Sequence, residues 1–535
     1  MKKLCILTLV LISFLAGCKH PEKKKIVKKD TSITLNNSFN GLFLDSTQIE
    51  RFVDENDSLK KYRSYFLDFY SHRNFEFAWF DKDGLNEQAE NFYNLQNNFA
   101  ESLDDSSIYN PKLKQLYELV DGRKIEGKKN KMLDTAALKA ELMFTGQFFE
   151  YASKVYKGSN IDAAELGWFI PRKKINTTAL LDSLVTKQNQ PLSAYEPLNM
   201  QYRKLESWLA NYYLLKKHNA WETIPDKSAY QKGDSGVAII LIKKRLTALG
   251  DLPVNNNNNV FDSSTTKAVQ HFQDRFGIPP NGIIKTATLK ALNTPLDTLI
   301  NKILINMERA RWMLPDTSKE DRLVVNIPDY KLSVFDSGKF SFSMPVVVGT
   351  TANSTVIFNG KLKYIVFSPY WNVTDDIVKK EIMPSMARDR NYLKKNNMEI
   401  VRYEGSIPEV RQKPGANNSL GGVKFLFPNK YNIYLHDTPH KEAFSSSKRS
   451  FSHGCIRVGD PAKLAQFLLR RDAHYTTDSI KTLMNQTQEK WVTAKPPVQV
   501  IIKYFTAWVD YNGVLNFRDD IYGHDNSMAQ KLFDK

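Results

Sequence analysis

The chain has 535 residues, 42% of them hydrophobic, and carries 75 Lys and Arg against 58 Asp and Glu, a formal net charge of +17 at pH 7. That length exceeds what one hydrophobic core sustains, so several domains are expected, and the apolar content is enough to build them. The positive charge is dispersed apart from the run KHPEKKKIVKKD at Lys19–Asp30, and with the export signal described next this excludes nucleic acid as a natural partner in favour of an anionic extracellular polymer.

Residues 1–17 read as a secretory signal. Lys2 and Lys3 precede a 12-residue largely apolar run, Leu4 to Leu15, that ends in small residues. A membrane span needs about 20 apolar residues, so this run is too short to be one. Leu15-Ala16-Gly17-Cys18 resembles the lipobox of bacterial lipoproteins, which implies cleavage before Cys18 and lipidation of that residue; the alternative is an ordinary signal peptide with a chance cysteine. Residues 18–40 then form a basic tether beside the anchor, able to touch anionic headgroups. The expected location is the cell envelope, anchored to a membrane and facing the periplasm. Of three cysteines, Cys5, Cys18 and Cys455, only Cys455 would remain a free thiol. In an exported protein a solitary cysteine is either a buried small hydrophobe or a reactive group.

From 41 to 226 the pattern is helical. Phe144, Phe148, Tyr151 and Val155 recur at helical spacing, as do Leu205, Leu209, Tyr212 and Leu215, which predicts a scaffold whose aromatic residues are core. Residues 230–296 break into three short helices, the first ending at Gly250 and the second at Gly277, with the third starting at Thr286 and stopping before Pro295. Leu241, Leu246, Leu249, Val269, Phe272, Phe276, Leu289 and Leu292 supply a minimal core, and the run Asn255–Asn259 is a loop. This pattern resembles the three-helix peptidoglycan-binding module, although Asn281 stands where that family more often has Asp. A spacer that no longer grips glycan is the alternative. A linker helix is expected over 297–321.

At Arg322 the period changes from 3.6 to 2. KFSFSMPVVVG alternates Phe340, Phe342 and Met344 against Ser341 and Ser343, and RLVVNIPDYKLSVFD, LKYIVFSPYWNV, YNIYLHDT and PPVQVIIKYF are further strand patterns,. A β-rich domain over 322–505 is predicted, with a helical insertion at about 370–425 that can cap a site, followed by a C-terminal segment, 506–535. The fold class is therefore multidomain α+β.

In YNIYLHDTP the period of two puts Tyr431, Ile433 and Leu435 on one face, so Tyr434 and His436 project together from the other. Ser452-His453-Gly454-Cys455 follows. Asp460 and Pro461 then look like the N-cap and first residue of a helix buried through Leu464, Phe467 and Leu468, which places Cys455 on a turn. A free thiol is only about 3% thiolate at pH 7, and a neighbouring histidine raises the reactive fraction by acting as base. Spacing alone leaves open which histidine that is. His436 stands at a strand end, His453 is two residues from Cys455 on a tight turn, and His440 lies in a polar loop.

The string His436-x15-Ser452-His453-Gly454-Cys455-Ile456-Arg457 resembles the signature of the L,D-transpeptidase catalytic domain (YkuD-like), and FSPYWNVTDDIVKKEIMP, GGVKFLFPNKYNIYLHDTP and FTAWVDYNGVLNFRDDIYG resemble segments of its large multidomain branch. The resemblance implies Cys455 as nucleophile and His436 as general base. It implies that Ser452, His453 and Gly454 shape the turn, and that the Gly454 and Cys455 amides, with Tyr434, stabilise an oxyanion. Arg457 would steer a substrate carboxylate or make a structural salt bridge, and Trp371 and Asn372 would line the cleft or, for Trp371, pack in a core. The implied reaction forms 3→3 cross-links between peptidoglycan stem peptides through a thioester, without metal or cofactor, and carbapenem β-lactams would acylate Cys455. An L,D-carboxypeptidase using the same site and a non-enzymatic wall-anchoring lipoprotein are the competing readings.

Overall fold

A computed structural model describes residues 42–533 apart from 82, 104, 123–130, 187–195, 219–220, 254–257 and 316–317. The signal and tether, with Cys5 and Cys18, and residues 255–257 of the asparagine run lie outside the described residues. The chain forms two compact units, one comprising Met1–Glu90, Pro111–Gln147 and Leu181–Gln188, the other Asn91–Asn110, Phe148–Leu180 and Asn189–Lys535.

The first unit is helical, with a two-residue hairpin, β1 (Phe80–Asp81) and β2 (Gly84–Leu85). Its helices Ser46–Asp54 and Arg63–His72 bury Ile49, Phe52, Phe66 and Tyr70. A polar cluster sits inside this core. The fully buried Glu141 carboxylate accepts from the Ala78 and Trp79 amides at 2.6 and 2.9 Å and from the Tyr70 hydroxyl at 2.7 Å. Burial pushes its pKa up to about 7, against the three donors that hold it down,.

In the second unit, helix Met200–His218 buries Leu205, Leu209 and Tyr212 as its spacing predicts, and Phe148, Tyr151 and Val155 are likewise buried. The three-helix segment comprises Val237–Ala248, Ser263–Arg275 and Thr286–Leu292. Its first helix starts one residue after Gly236, which rotates the core face onto Ile239, Ile242, Leu246 and Leu249. The expected core residue Leu241 is only half-buried as a result. Helix Leu296–Trp312, expected as a linker, is a core element burying Leu299, Ile300, Ile303, Met307 and Trp312.

The β-rich domain is a sheet closed on itself. Its strands are β3 (Arg322–Asn326), β4 (Lys331–Asp336), β5 (Lys339–Gly349), β6 (Asn359–Phe367), β10 (Val423–Leu426), β11 (Leu435–His436), β12 (Ser450–Ser452), β13 (Ile456–Val458) and β14 (Lys490–Lys503), interrupted by three insertion strands, β7 (Trp371–Asn372), β8 (Met398–Glu404) and β9 (Ile407–Gln412). The order is β12-β5-β13-β11-β10-β6-β14-β3-β4, and β4 pairs back onto β5, which closes the sheet from β5 round to β4 and leaves short β12 as an outlying strand paired only with β5,. Long β5 makes this possible, since its first half pairs with β4 and its second half with β13.

The insertion between β6 and β10 carries the expected helical segments, Asp375–Ile377 through Met383–Arg388 and Tyr392–Lys395, and adds a sheet of order β7-β9-β8. It has its own small core of Val373, Val378, Ile382 and Val410. The C-terminal segment forms a hairpin, β15 (Ala507–Val509) and β16 (Leu515–Phe517), and helix His524–Phe533. Among the described residues no helix is long and apolar enough to cross a membrane.

Candidate active site

The turn that carries Cys455 is built by its neighbours. Gly454 has φ +110°, a conformation that favours glycine,. The buried Ser452 hydroxyl donates to the Cys455 carbonyl at 2.5 Å and accepts from the Gly454 N–H at 3.1 Å, closing the turn between β12 and β13. Downstream, the Asp460 carboxylate accepts from the Lys463 N–H at 3.0 Å and Pro461 opens helix Pro461–Leu469, as expected,. Below the turn runs a loop that sequence reading missed. Thr355 Oγ1 accepts from the Gly349 N–H at 2.9 Å and donates to the Gly454 carbonyl at 2.8 Å, while the Tyr522 hydroxyl donates to the Gly349 carbonyl at 2.7 Å. The backbones are so close that a Cβ on Gly349 would lie 3.0 Å from the Gly454 Cα.

His436 reaches the site on β11, which runs parallel to β13. The strand is shorter than its sequence pattern suggests. Asn432 adopts φ +54°, a left-handed conformation that Asn tolerates better than most side chains,, and Asn429 caps the loop by donating to the Phe427 and Ile433 carbonyls. Beyond that kink the alternation resumes. Ile433 and Leu435 are buried in the core, and the Tyr434 and His436 rings meet edge to face at 5.7 Å, as the period of two predicts. His436 is 5% exposed and its Nδ1 lies 2.5 Å from the Asp437 carbonyl. A carbonyl can only accept, so Nδ1 carries the proton and Nε2 is left as the basic nitrogen.

The electrostatics favour neutral groups at His436 and Cys455. Burial first, and then the Arg457 charge, holds the His436 pKa down at about 3,. Burial also raises the Cys455 thiol, partly offset by the Tyr434 amide and hydroxyl and by the Lys424 charge. The Cys455 S–H donates to the Asn432 carbonyl at 3.5 Å, so its proton is held by the kink in the β11 approach. Phe169, from the helical region, packs at a tilt against the adjacent Tyr431, 5.4 Å between ring centres.

The structure gives the other expected residues defined surroundings. The Gly454 N–H, expected with the Cys455 amide to meet an oxyanion, donates to the Ser452 hydroxyl at 3.1 Å. His453 turns outward, its Nε2–H donating to Glu381 of the insertion at 2.7 Å, with both side chains about half exposed. Trp371 packs against the insertion's own core of Val373, Val378, Ile382 and Val410, the core-packing alternative, while Asn372 is exposed opposite Arg411 on β9. Conversely, Lys424 was not singled out. Its Nζ lies 4.9 Å from the centre of the Tyr434 ring, and only the strand register, which pairs Lys424 with His436, brings it there.

Comparison with known proteins follows this division of the chain. Residues 320–502 match the L,D-transpeptidase catalytic domain (YkuD), residues 64–209 a "Scaffold domain" and residues 235–292 a "Putative peptidoglycan binding domain". A protein of Haemophilus influenzae named "Putative L,D-transpeptidase" is 30% identical over 246 residues, which cover 43% of this chain and 49% of the relative. The chain thus spans about half the length of that curated relative. Among solved structures, an L,D-transpeptidase of Xylanimonas cellulosilytica aligns at 14% identity over 52% of this chain and 99% of its own, with a TM-score of 0.17. One from Mycobacterium smegmatis aligns at 12% identity over 34% and 58%, with a TM-score of 0.19. Likeness at that level carries no functional argument.

Proposed function

Starting from the L,D-transpeptidase catalytic domain at residues 320–502, we propose that this chain transfers acyl groups between peptidoglycan stem peptides, with Cys455 as nucleophile and His436 as general base. The observation that carries this reading is that the free cysteine of the described residues, on a turn clamped by Ser452, leads directly into the strand that pairs with the one carrying a buried histidine, whose Nδ1 is tied down and whose Nε2 is left as the basic nitrogen. His436 Nε2 removes the thiol proton as Sγ attacks the carbonyl carbon of the third stem residue. The tetrahedral oxyanion is met by the Cys455 N–H and the Tyr434 hydroxyl; one such donor contributes on the order of 3 kcal/mol to the transition state. The imidazolium then gives its proton to the nitrogen of the departing D-Ala, leaving a thioester on Cys455. A side-chain amine on the third residue of a neighbouring stem attacks that thioester, its proton goes to His436, and a 3→3 cross-link forms with the thiol restored. Water in place of the amine makes the same acyl-enzyme an L,D-carboxypeptidase.

The peptidoglycan-binding match at 235–292 supports a polymer-bound substrate, and the signal at residues 1–17 supports a lipid anchor at Cys18 in the cell envelope. Carbapenems are expected to enter the same site and acylate Cys455. The test is incubation of the soluble protein with disaccharide-tetrapeptide. Released D-Ala together with cross-linked dimer is the expected result, D-Ala with tripeptide monomer alone selects the carboxypeptidase, and no D-Ala from folded protein refutes both.

A further inference from the structure

One transverse row of side chains crosses three neighbouring strands at the site. Lys424 on β10 is the register partner of His436 on β11, and His436 is the register partner of Arg457 on β13. Register partners share a face of the sheet, so a cation stands on either side of the histidine. Among the described residues neither cation meets a carboxylate within ion-pair distance, and Lys424 has only the Tyr434 ring, at 4.9 Å from its centre. The Arg457 Nε is buried without a hydrogen-bond partner. The carboxylates that these two side chains sense at range, Glu489 for Lys424 and Glu442 for Arg457, are engaged elsewhere. Glu489 accepts from the Tyr370 amide and the Trp491 indole at 3.0 and 2.8 Å, and Glu442 lies 3.3 Å from His440. Other buried cations of the unit have defined partners, which for Arg245 are the Leu292 and Glu222 carbonyls. Buried Arg275 meets Asp251 at 2.6 Å and buried Arg309 meets Asp525 at 2.6 Å. A largely desolvated cation without a counter-ion is costly unless something supplies the anion.

We infer that Lys424 and Arg457 form a carboxylate-recognition site, and that its ligand is the terminal carboxylate of the donor residue that leaves. The inference rests on the acyl transfer proposed above and names the group by which the donor is selected. In the leaving residue the amine and the carboxylate are attached to one carbon. When His436 delivers its proton to that amine, the carboxylate is therefore within a few ångströms of the row. The bound anion also serves the chemistry. Two uncompensated cations oppose formation of the His436 imidazolium, and a carboxylate between them removes that opposition only when a donor is in place. The cations thereby couple recognition of the correct terminus to the basicity of His436.

The test is binding, read without turnover. In a Cys455→Ala background, two tetrapeptides identical except for a terminal carboxylate or carboxamide are titrated by calorimetry. The carboxylate peptide is expected to bind at least about tenfold tighter, the range for hydrogen bonds to charged groups. Lys424→Met and Arg457→Gln, each added separately, should bring the ratio to within about threefold while leaving the carboxamide peptide's affinity unchanged, which also reports that the variants are folded. Equal affinities in the parent protein, a preference that survives both substitutions, or no binding of either peptide at millimolar concentration overturns the assignment. A carboxylate preference in a protein that releases no D-Ala leaves the recognition site standing and removes the reaction instead.

Discussion

Replacing Thr355 by Val keeps the side-chain shape and removes the hydroxyl that joins the Gly349 amide to the Gly454 carbonyl, at 2.9 and 2.8 Å in a buried setting. Valine can offer neither group a partner, and the close approach of the Gly349 and Gly454 backbones leaves no room for water between them. Leaving a buried polar group unmade costs about 1–3 kcal/mol, so two such groups cost about 2–6 kcal/mol. That cost falls on the loop beneath the nucleophile. If even about 1.5–3 kcal/mol of it appears as lost ordering of the Cys455 turn in the transition state, acylation slows roughly 10- to 100-fold, at about 1.4 kcal/mol per decade. The assay is the second-order rate of carbapenem adduct formation by intact mass, run beside thermal unfolding, with Thr355→Ser restoring the hydroxyl. An acylation rate within twofold of the parent in a folded Thr355→Val protein would refute the idea that this loop positions the nucleophile.

Other consequences are smaller in scope. Because His436 is held at a pKa of about 3 from an unfolded value near 6.5, the unfolded chain binds the extra proton between those limits. Stability should therefore fall as pH drops through that window, by about 3 kcal/mol between pH 6.5 and 4, and a denaturant series should lose this component in His436→Gln. Cys455, whose thiol is raised by burial, should acylate faster as pH rises above 7; a rate flat from pH 6 to 9 would contradict the buried-thiol description. Glu381→Gln breaks the contact with His453 at 2.7 Å. At half exposure it should change stability by less than about 1 kcal/mol and show instead as faster hydrogen exchange over 375–388. Glu141→Gln sets an amide against donors that a carboxylate accepts from, and should destabilise the first unit by about 1–3 kcal/mol in thermal unfolding.

Much of the site was legible because its signals are local. A cysteine far from the other two in the sequence, a histidine at a strand end, and a glycine before the cysteine can all be read along the sequence. Ser452 and the Asp460-Pro461 helix start are equally local. Lys424 was not legible because its place beside His436 depends on which strands pair and in what register. Thr355 and Tyr522 meet at Gly349 only because the sheet closes and the C-terminal segment returns beneath it. Trp371 was ambiguous for the opposite reason, since its indole is consumed by an insertion that has a core of its own. The choice of Leu241 over Ile242 shows how little separates two apolar faces when a helix is apolar nearly all round; the start after Gly236 decides it. The kink at Asn432 breaks a run whose pattern is that of a strand, and it brings a carbonyl to the thiol.

The most direct test of the central claim is the intact mass of the soluble protein, from about Ser32 onward, after mixing with a carbapenem, with Cys455→Ala run in parallel. A single adduct in the parent that is absent from the mutant is the predicted result and means that Cys455 is an accessible, activated nucleophile in an acyl-transfer site. No adduct on folded parent protein, or an adduct that persists in Cys455→Ala, would contradict it and favour a wall-anchoring role.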